Sequence, residues 1–258
     1  PITRRMQLSV VRQFLRYLQQ FESATYVPGR HLEPGRSAPR APYIYTSAEV
    51  QKLLEAALRY PERYATRRWV LYHTLIAFLY ATGMRISEAI ALDLRDLDLR
   101  KGVVKIRKTK FHKSRLVPLM PSTCEALKRY LTARAERGHT TTLASPLFVR
   151  PDKPGRLSQS TVSQGFRRIA RLAGLPHAPG LYPRIHDLRH TAATIRLYHW
   201  YREGKDVQVL LPVLVTYLGH SAVWCTETYL TATAELLEEA SVRYEQSFGI
   251  DNKTDGRT

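Results

Sequence analysis

The 258 residues carry 40 Lys and Arg against 22 Asp and Glu, which leaves a formal net charge of +18 at neutral pH. An excess of this size attracts polyanions over long range, so nucleic acid is the first partner to consider. A hydrophobic content of 44% excludes a disordered chain, and two widely separated cysteines outside any Cys/His cluster exclude a disulfide framework and a zinc site. The sequence has no run of about 18 apolar residues, the signature of a membrane span, and its start lacks a signal peptide's apolar region, so we expect a cytoplasmic protein.

The first 44 residues predict one helix and a linker. Val11, Phe14, Leu15 and Leu18 follow the i, i+3, i+4, i+7 spacing of an amphipathic helix over 8–21. Residues 27–42 then bring four prolines, two Pro-Gly steps and three arginines, a composition typical of a linker. We therefore place a domain boundary here and expect the helix to be the end of a domain that is otherwise short or missing.

The next stretch predicts two helices and a tight turn. The pattern Thr46-x-x-Glu49 is a capping box that predicts a helix start, and a strongly apolar segment over 67–82, closed by Gly83, predicts a central buried helix. The sequence MRISEAIALDL follows at once. It places Arg85 at a turn ahead of a short helix that packs against the core.

Strands are predicted in the middle of the chain, at 103–107 and 115–119, where they flank KTKFHKS as in a β-hairpin with a longer loop. A helix is predicted to start at Pro121-Ser122 through a second capping box, and 147–149 to form a short strand. A basic helix over 160–173 carries Arg167, Arg168 and Arg171.

Beyond residue 183 the pattern is helical. Helices are predicted from His186 to Tyr198, over 207–218 despite Pro212, and over 234–248, where the apolar residues form one stripe. The predicted fold class is therefore mainly α with a small antiparallel β-sheet, an α+β arrangement.

The stretch from Pro183 to Leu230 concentrates the residues that a phosphodiester reaction needs. A phosphodiester is anionic, so a nucleophile approaches it only when that charge is met, and arginine meets it with a planar fork of donors that stays protonated. His186 and Arg189 are spaced i, i+3 and share a helix face, while His220 and Tyr229 lie nine residues apart across a predicted turn. A charge donor and a nucleophile can thus converge on one phosphate.

The motifs HDLRH and YLGH, the tyrosine that follows them and the upstream ATGMRISEAIALDL together resemble the signature of the tyrosine recombinases, also called the phage integrase family. The resemblance covers about 45–248 and implies the catalytic-domain fold of that family. It identifies five catalytic residues: Arg85 as the first arginine, His186 and Arg189 as the His-x-x-Arg pair, His220 as the second histidine and Tyr229 as the nucleophile.

The resemblance also implies supporting residues. Glu88 matches the acidic position after the first arginine and is expected to buttress it. The hairpin KTKFHKSRLVPL is similar to the lysine-bearing β2–β3 turn of the family, and its Gly-Lys-Gly-x-Lys-x-Arg pattern makes Lys110 the catalytic lysine. Other residues replace the two glycines of that pattern, which leaves Lys108 and Lys113 as alternatives.

Further basic residues are predicted to contact the DNA backbone, the alternative being a solvated helix face: Arg167, Arg168, Arg171 and Lys113. For His190, one residue past Arg189, a structural role is expected.

The resemblance implies four segments. Residues 1–26 are the C-terminal helix of a truncated N-terminal, core-binding DNA-binding domain, 27–44 a basic Pro-rich linker, 45–233 the catalytic domain, and 234–258 a C-terminal helix and tail. That tail either packs on its own domain or docks into a neighbouring protomer. The piece between HDLRH and YLGH is longer than in compact members and resembles a branch found on mobile elements. The DNA-clamping N-terminal domain of the family is represented by one helix, and the chain begins without an initiator Met. We therefore expect a fragment that carries mainly the catalytic domain.

The function that the resemblance implies is a site-specific recombinase or integrase of a mobile element. Tyr229 attacks the scissile phosphate, forms a 3′-phosphotyrosine and releases a 5′-hydroxyl; His186 accepts the tyrosine proton and Lys110 protonates the leaving oxygen. No metal and no ATP are expected. The expected partners are double-stranded DNA and further copies of the chain, as a tetramer on two DNA sites, with no membrane. The alternatives are a type IB topoisomerase and a non-catalytic DNA-binding regulator.

Overall fold

Two units divide the chain, one over 1–41 and the other over 42–258. The computed structural model describes residues 2–29, 32, 42–60, 68–107, 114–139, 141–150, 155–176 and 182–219. Helix α1 (Ile2–Leu18) belongs to the first unit. There Arg12 donates to the carbonyl oxygens of Pro28 and Gly29 at 2.8 and 3.0 Å, and these bonds fold the segment after α1 back onto the helix.

The second unit is built from helices and one small sheet. In chain order its elements are α2 (Ser47–Leu58), α3 (Arg68–Thr82), α4 (Ile86–Ala91), β1 (Leu97–Asp98), β2 (Val103–Ile106), β3 (Arg115–Pro118), α5 (Pro121–Ala135), α6 (Gln159–Leu172), α7 (Asp187–Arg202) and α8 (Val207–Leu218). The strands pair antiparallel in the order β1-β2-β3, with Val104 opposite Val117. This confirms the predicted class of mainly α with a small antiparallel β-sheet. Among the described helices, none has both the length and the apolar character that a bilayer crossing requires.

Helix α3 lies at the centre of the core. Its Leu75, Ile76 and Phe78 are fully buried, and the helix contacts α2, α5 and α7. Helix α6 approaches it at Gly165, where an added Cβ would lie 2.0 Å from the Tyr72 hydroxyl oxygen, so only glycine fits. The residues that follow α3 therefore start from a rigid element. A smaller apolar cluster joins α7 to α8.

The local predictions agree with the structure in part. The capping box at Thr46 and Glu49 is confirmed, but the one predicted at Ser122 is wrong, because α5 already begins at Pro121, whose fixed φ suits the first helical position. The predicted strand over 147–149 is replaced by isolated bridges, in which Pro146 pairs with one segment and Val149 with another. Two residues three positions apart that pair with different segments do not form one continuous ladder.

Candidate active site

Arg85 stands at the N-terminus of α4, in the turn that follows α3. Gly83 opens this turn with a φ of 61°, a left-handed conformation that favours glycine. The third residue of α4, Glu88, accepts hydrogen bonds from the Arg85 amide at 3.1 Å and from its Nη1 at 3.0 Å. The Arg85 side chain is 34% exposed. Its guanidinium is thus fixed by the start of α4 and is still accessible from solvent.

Glu88 joins two arginines rather than one. Arg115, the first residue of β3, donates from Nη2 to Oε2 at 2.7 Å and from Nη1 to Oε1 at 3.1 Å, a bidentate pair with the same carboxylate. Burial raises the pKa of the Glu88 carboxyl, but the hydrogen bonds and charge of Arg115, then of Arg85, outweigh burial, so its pKa lies below the ordinary value. Glu88 is therefore ionised at neutral pH and buttresses Arg85.

Arg115 was not among the predicted site residues, although the sequence held a signal for it. The last position of the lysine-hairpin pattern falls on this arginine. Its partner Glu88 lies 27 residues earlier on another element, and no periodicity of β3 points there.

Arg189 lies in the core and is 2% exposed. Its Nη1 donates to the carbonyl oxygen of Gly83, and its Nη2 to that of Leu218, both at 2.7 Å. These acceptors end α3 and α8, where the last carbonyls have no partner within the helix. Arg189 therefore connects two segments through hydrogen bonds: the turn that precedes Arg85, at Gly83, and the start of the Leu-Gly-His motif, at Leu218.

The sequence predicts that a helix begins at His186. In the structure α7 begins one residue later, at Asp187, and His186 is its N-cap. His186 is exposed at the surface. Partial burial of its ring, followed by the positive charge of Arg189, lowers its pKa from the ordinary value, against the opposing effect of Asp187. The ring of His190 lies 5.2 Å away, centroid to centroid, and burial, followed by the charge of His186, lowers its pKa to about 4. Both imidazoles are therefore neutral at pH 7.

The three arginines converge on the end of α8, at Leu218 and Gly219. Gly219 closes the helix in a left-handed conformation with a φ of 68°. Arg85 donates from Nη2 to the Gly219 carbonyl oxygen at 2.8 Å, and Arg189 binds the preceding carbonyl, that of Leu218. A Cβ added to Gly219 would lie 2.5 Å from Nη1 of Arg115, so that guanidinium covers the glycine. The start of Leu-Gly-His is thus fixed beside Arg85 and Arg189. Four predicted residues lie outside the described part of the chain: Lys110, Lys113, His220 and Tyr229.

The predicted DNA-contacting arginines lie on the exposed face of α6. Arg167 and Arg171 line a surface notch together with Tyr182. The guanidinium of Arg168 lies over the ring of Tyr60, 5.6 Å from its centroid. Arg167 and Arg171 present their charge to solvent one helical turn apart, whereas the guanidinium of Arg168 contacts an aromatic face.

Comparisons with known proteins agree with this geometry. The profile described as "Phage integrase family" matches residues 44–235. A protein of Sinorhizobium fredii, y4rB, whose name assigns it to the integrase/recombinases, is 41% identical over 244 residues, which cover 93% of this chain and 77% of that protein. The tyrosine recombinase XerC of Thermodesulfovibrio yellowstonii is 30% identical over 225 residues, covering 86% of this chain and 68% of XerC.

Among solved structures, the XerH site-specific recombinase bound to palindromic difH substrate, in a post-cleavage complex, superposes with a TM-score of 0.64. The two are 25% identical, and the match covers 90% of this chain and 64% of XerH.

Proposed function

The chain belongs to the phage integrase family, and from that premise we propose that it is a site-specific DNA recombinase that cleaves and rejoins strands through a 3′-phosphotyrosine at Tyr229. One observation carries the proposal: Arg85 and Arg189 both bind the end of α8, so two positive charges lie beside the residue that precedes His220. The turn before α4 and the end of α8 are more than a hundred residues apart in the chain, yet they lie together here. A structural role for either arginine alone does not explain why both bind this point.

The charges suit an anionic reaction centre. In the transition state negative charge accumulates on the non-bridging phosphoryl oxygens, and fixed donors stabilise it by about 3–4 kcal/mol each. Arg85 is the donor with an accessible guanidinium. Arg189 is buried and contributes its positive charge and its hydrogen bonds to the carbonyl oxygens of Gly83 and Leu218. His220 is the second candidate donor to the phosphate.

The proposed reaction replaces one phosphoester bond with another. The Tyr229 oxygen forms a bond to phosphorus while the bond to the 5′-oxygen breaks; the tyrosine proton moves to neutral His186, and Lys110 gives a proton to the leaving oxygen. In rejoining, a 5′-hydroxyl attacks the phosphotyrosine and the protons return. Because the phosphate ester is exchanged and not hydrolysed, the reaction needs no ATP, and with arginines meeting the charge we propose that it needs no metal.

The proposed partners follow from the chemistry. Exchange between two duplexes breaks four strands, so four nucleophiles are needed, and we propose a homotetramer on two double-stranded DNA sites. Arg167 and Arg171 present exposed charge for the phosphate backbone. The similarity to a protein named as an integrase/recombinase supports a mobile genetic element as the source of those sites.

The rate of cleavage should depend on the protonation of His186. Only the neutral ring accepts the tyrosine proton, and its pKa is lowered, so activity is retained above that pKa and is lost as the pH falls through it. We expect the acid limb of the pH–rate profile to lie below about pH 6.5. His186→Gln should lower the rate at all pH values and remove this limb. His199→Gln, a substitution of an exposed histidine of α7, should leave the profile unchanged. An acid limb that survives in His186→Gln would contradict the assignment.

The experiment that tests the function is covalent trapping. The protein is incubated with nicked duplexes carrying the ends of the genetic element that encodes it, placed so that the cleaved 5′-hydroxyl strand dissociates and religation fails. We expect an adduct that resists denaturing electrophoresis with these ends and not with scrambled duplexes. Relaxation of supercoiled plasmid without site preference would instead indicate a type IB topoisomerase, and binding without any adduct a regulator.

A further inference from the structure

Arg115 is the first residue of β3, at the C-terminal side of the lysine hairpin, and it lies against both residues that accept hydrogen bonds from the Arg85 guanidinium. The guanidinium of Arg85 has two acceptors, the Glu88 carboxylate at 3.0 Å and the Gly219 carbonyl at 2.8 Å. Arg115 forms the bidentate pair with Glu88, and its guanidinium lies against the Cα of Gly219, where an added Cβ would come within 2.5 Å of Nη1. Its side chain is 12% exposed and that of Glu88 is 10% exposed, so little solvent reaches this pair.

We propose that Arg115 is a positioning residue for strand cleavage: by fixing Glu88 and Gly219 it sets the place and direction of the Arg85 guanidinium. This inference rests on the proposed function, because it assigns Arg115 a part in the same reaction. Arg115 itself does not touch the phosphate.

Geometry requires an arginine here. The planar fork of a guanidinium matches both oxygens of one carboxylate, and so it fixes the rotation of the Glu88 side chain, whereas a lysine ammonium approaches as a point and leaves that rotation free. Once Glu88 rotates, Arg85 loses a defined acceptor. Arg85 is the more exposed of the two arginines, so its orientation depends on that acceptor.

The positive charge of Arg115 is a second reason why this residue supports Arg85. Arg85 and Glu88 alone would form a neutral pair, and Glu88 would then compete with the phosphate for the guanidinium. Arg115 supplies a second positive charge to the same carboxylate, so the three side chains together carry a net charge of +1 at neutral pH. The cluster therefore presents positive charge to an anion.

The hairpin offers a matched control at its other side. Arg107, one residue after β2, is 34% exposed and pairs with Asp96 at 2.6 Å and Asp93 at 2.7 Å. It too anchors the hairpin through carboxylates, but it makes no bond to Glu88 in the described part of the chain. A role limited to anchoring the hairpin would give Arg107→Met and Arg115→Met the same effect.

The test measures single-turnover adduct formation by the full chain at saturating protein, with DNA affinity and the unfolding midpoint recorded for each variant. We expect Arg115→Met to slow cleavage about 100-fold, the effect of misplacing a catalytic group by about 1 Å. Arg115→Lys should lose about tenfold, the equivalent of one charge-assisted hydrogen bond. Arg107→Met should stay within about threefold of wild type.

A second substrate separates positioning of Arg85 from a folding defect. A methylphosphonate at the scissile position carries no negative charge, so the reaction on it depends much less on Arg85. On this substrate Arg115→Met should lie within about threefold of wild type, since the interaction that it misplaces is no longer required. A variant that is merely misfolded would be slow on both substrates.

The outcomes are distinct. If wild type forms no adduct, the proposed function fails and this inference fails with it. If wild type forms the adduct and Arg115→Met is as fast, or equals Arg107→Met, or is equally slow on the phosphate and the methylphosphonate, the positioning role is overturned while the recombinase stands.

Discussion

Replacing Tyr229 by phenylalanine is expected to abolish the covalent protein–DNA adduct and to leave DNA binding unchanged. The substitution removes one oxygen, the atom that forms the bond to phosphorus, and phenylalanine fills nearly the same volume. No neighbouring group supplies an equivalent nucleophile in the proposed mechanism, so the rate of cleavage should fall by about 10⁴-fold or more. The measurement is adduct formation on nicked element-end DNA, beside a gel-shift titration of the same variant.

Tyr217 provides the control for this substitution. It lies two residues before Gly219, close to the proposed site, and burial raises the pKa of its hydroxyl. A partly buried tyrosine of raised pKa is a poor nucleophile, so Tyr217→Phe should retain the adduct. Loss of the adduct in Tyr217→Phe together with its persistence in Tyr229→Phe would move the nucleophile to Tyr217.

Arg85→Met is expected to lower the cleavage rate by about 10²–10³-fold, the loss of one fixed donor at a developing oxyanion. The fold should survive, because Glu88 keeps its bidentate pair with Arg115 and is not left as a lone buried carboxylate. Binding should weaken much less than the rate, since many other basic residues contribute to DNA affinity. Single-turnover rates at saturating protein separate the two effects.

Arg95→Met is the matched control for Arg85→Met. Arg95 lies just beyond α4, and its side chain is 52% exposed in an ion pair with Asp93. Pairs at this exposure contribute little to stability, so the rate should remain within about twofold of wild type. Equal effects of the two substitutions would show that general loss of positive charge, and not the placement of Arg85, governs cleavage.

The sequence predicted only that part of the site whose residues lie close together along the chain. Gly83, Arg85 and Glu88 follow from the end of one helix and the start of the next, and local rules of capping and turn formation place them as found. The family resemblance implied that Glu88 supports Arg85, and in the structure Arg85 Nη1 donates to Glu88 Oε1 at 3.0 Å.

Tertiary contacts set what the sequence did not reveal. The spacing of His186 and Arg189 indicates a shared face, but not that Arg189 is buried with two helix-end carbonyls as acceptors. Those carbonyls belong to residues 106 positions before it and 29 positions after it. Arg115 was missed for the same reason, because its partner Glu88 lies on α4 and the glycine that it covers follows α8. Long-range acceptors leave no periodic trace in a sequence.

The central claim is that Tyr229 becomes joined to the 3′ end of cleaved DNA, and one measurement tests it most directly. The adduct trapped on nicked DNA is digested with protease and nuclease, and the nucleotide-bearing peptide is sequenced by mass spectrometry. We predict a nucleotide linked through its 3′-phosphate to Tyr229, with a free 5′-hydroxyl on the released strand. A link to any other residue, a 5′-phosphate attachment, or no adduct with the correct element ends would contradict it.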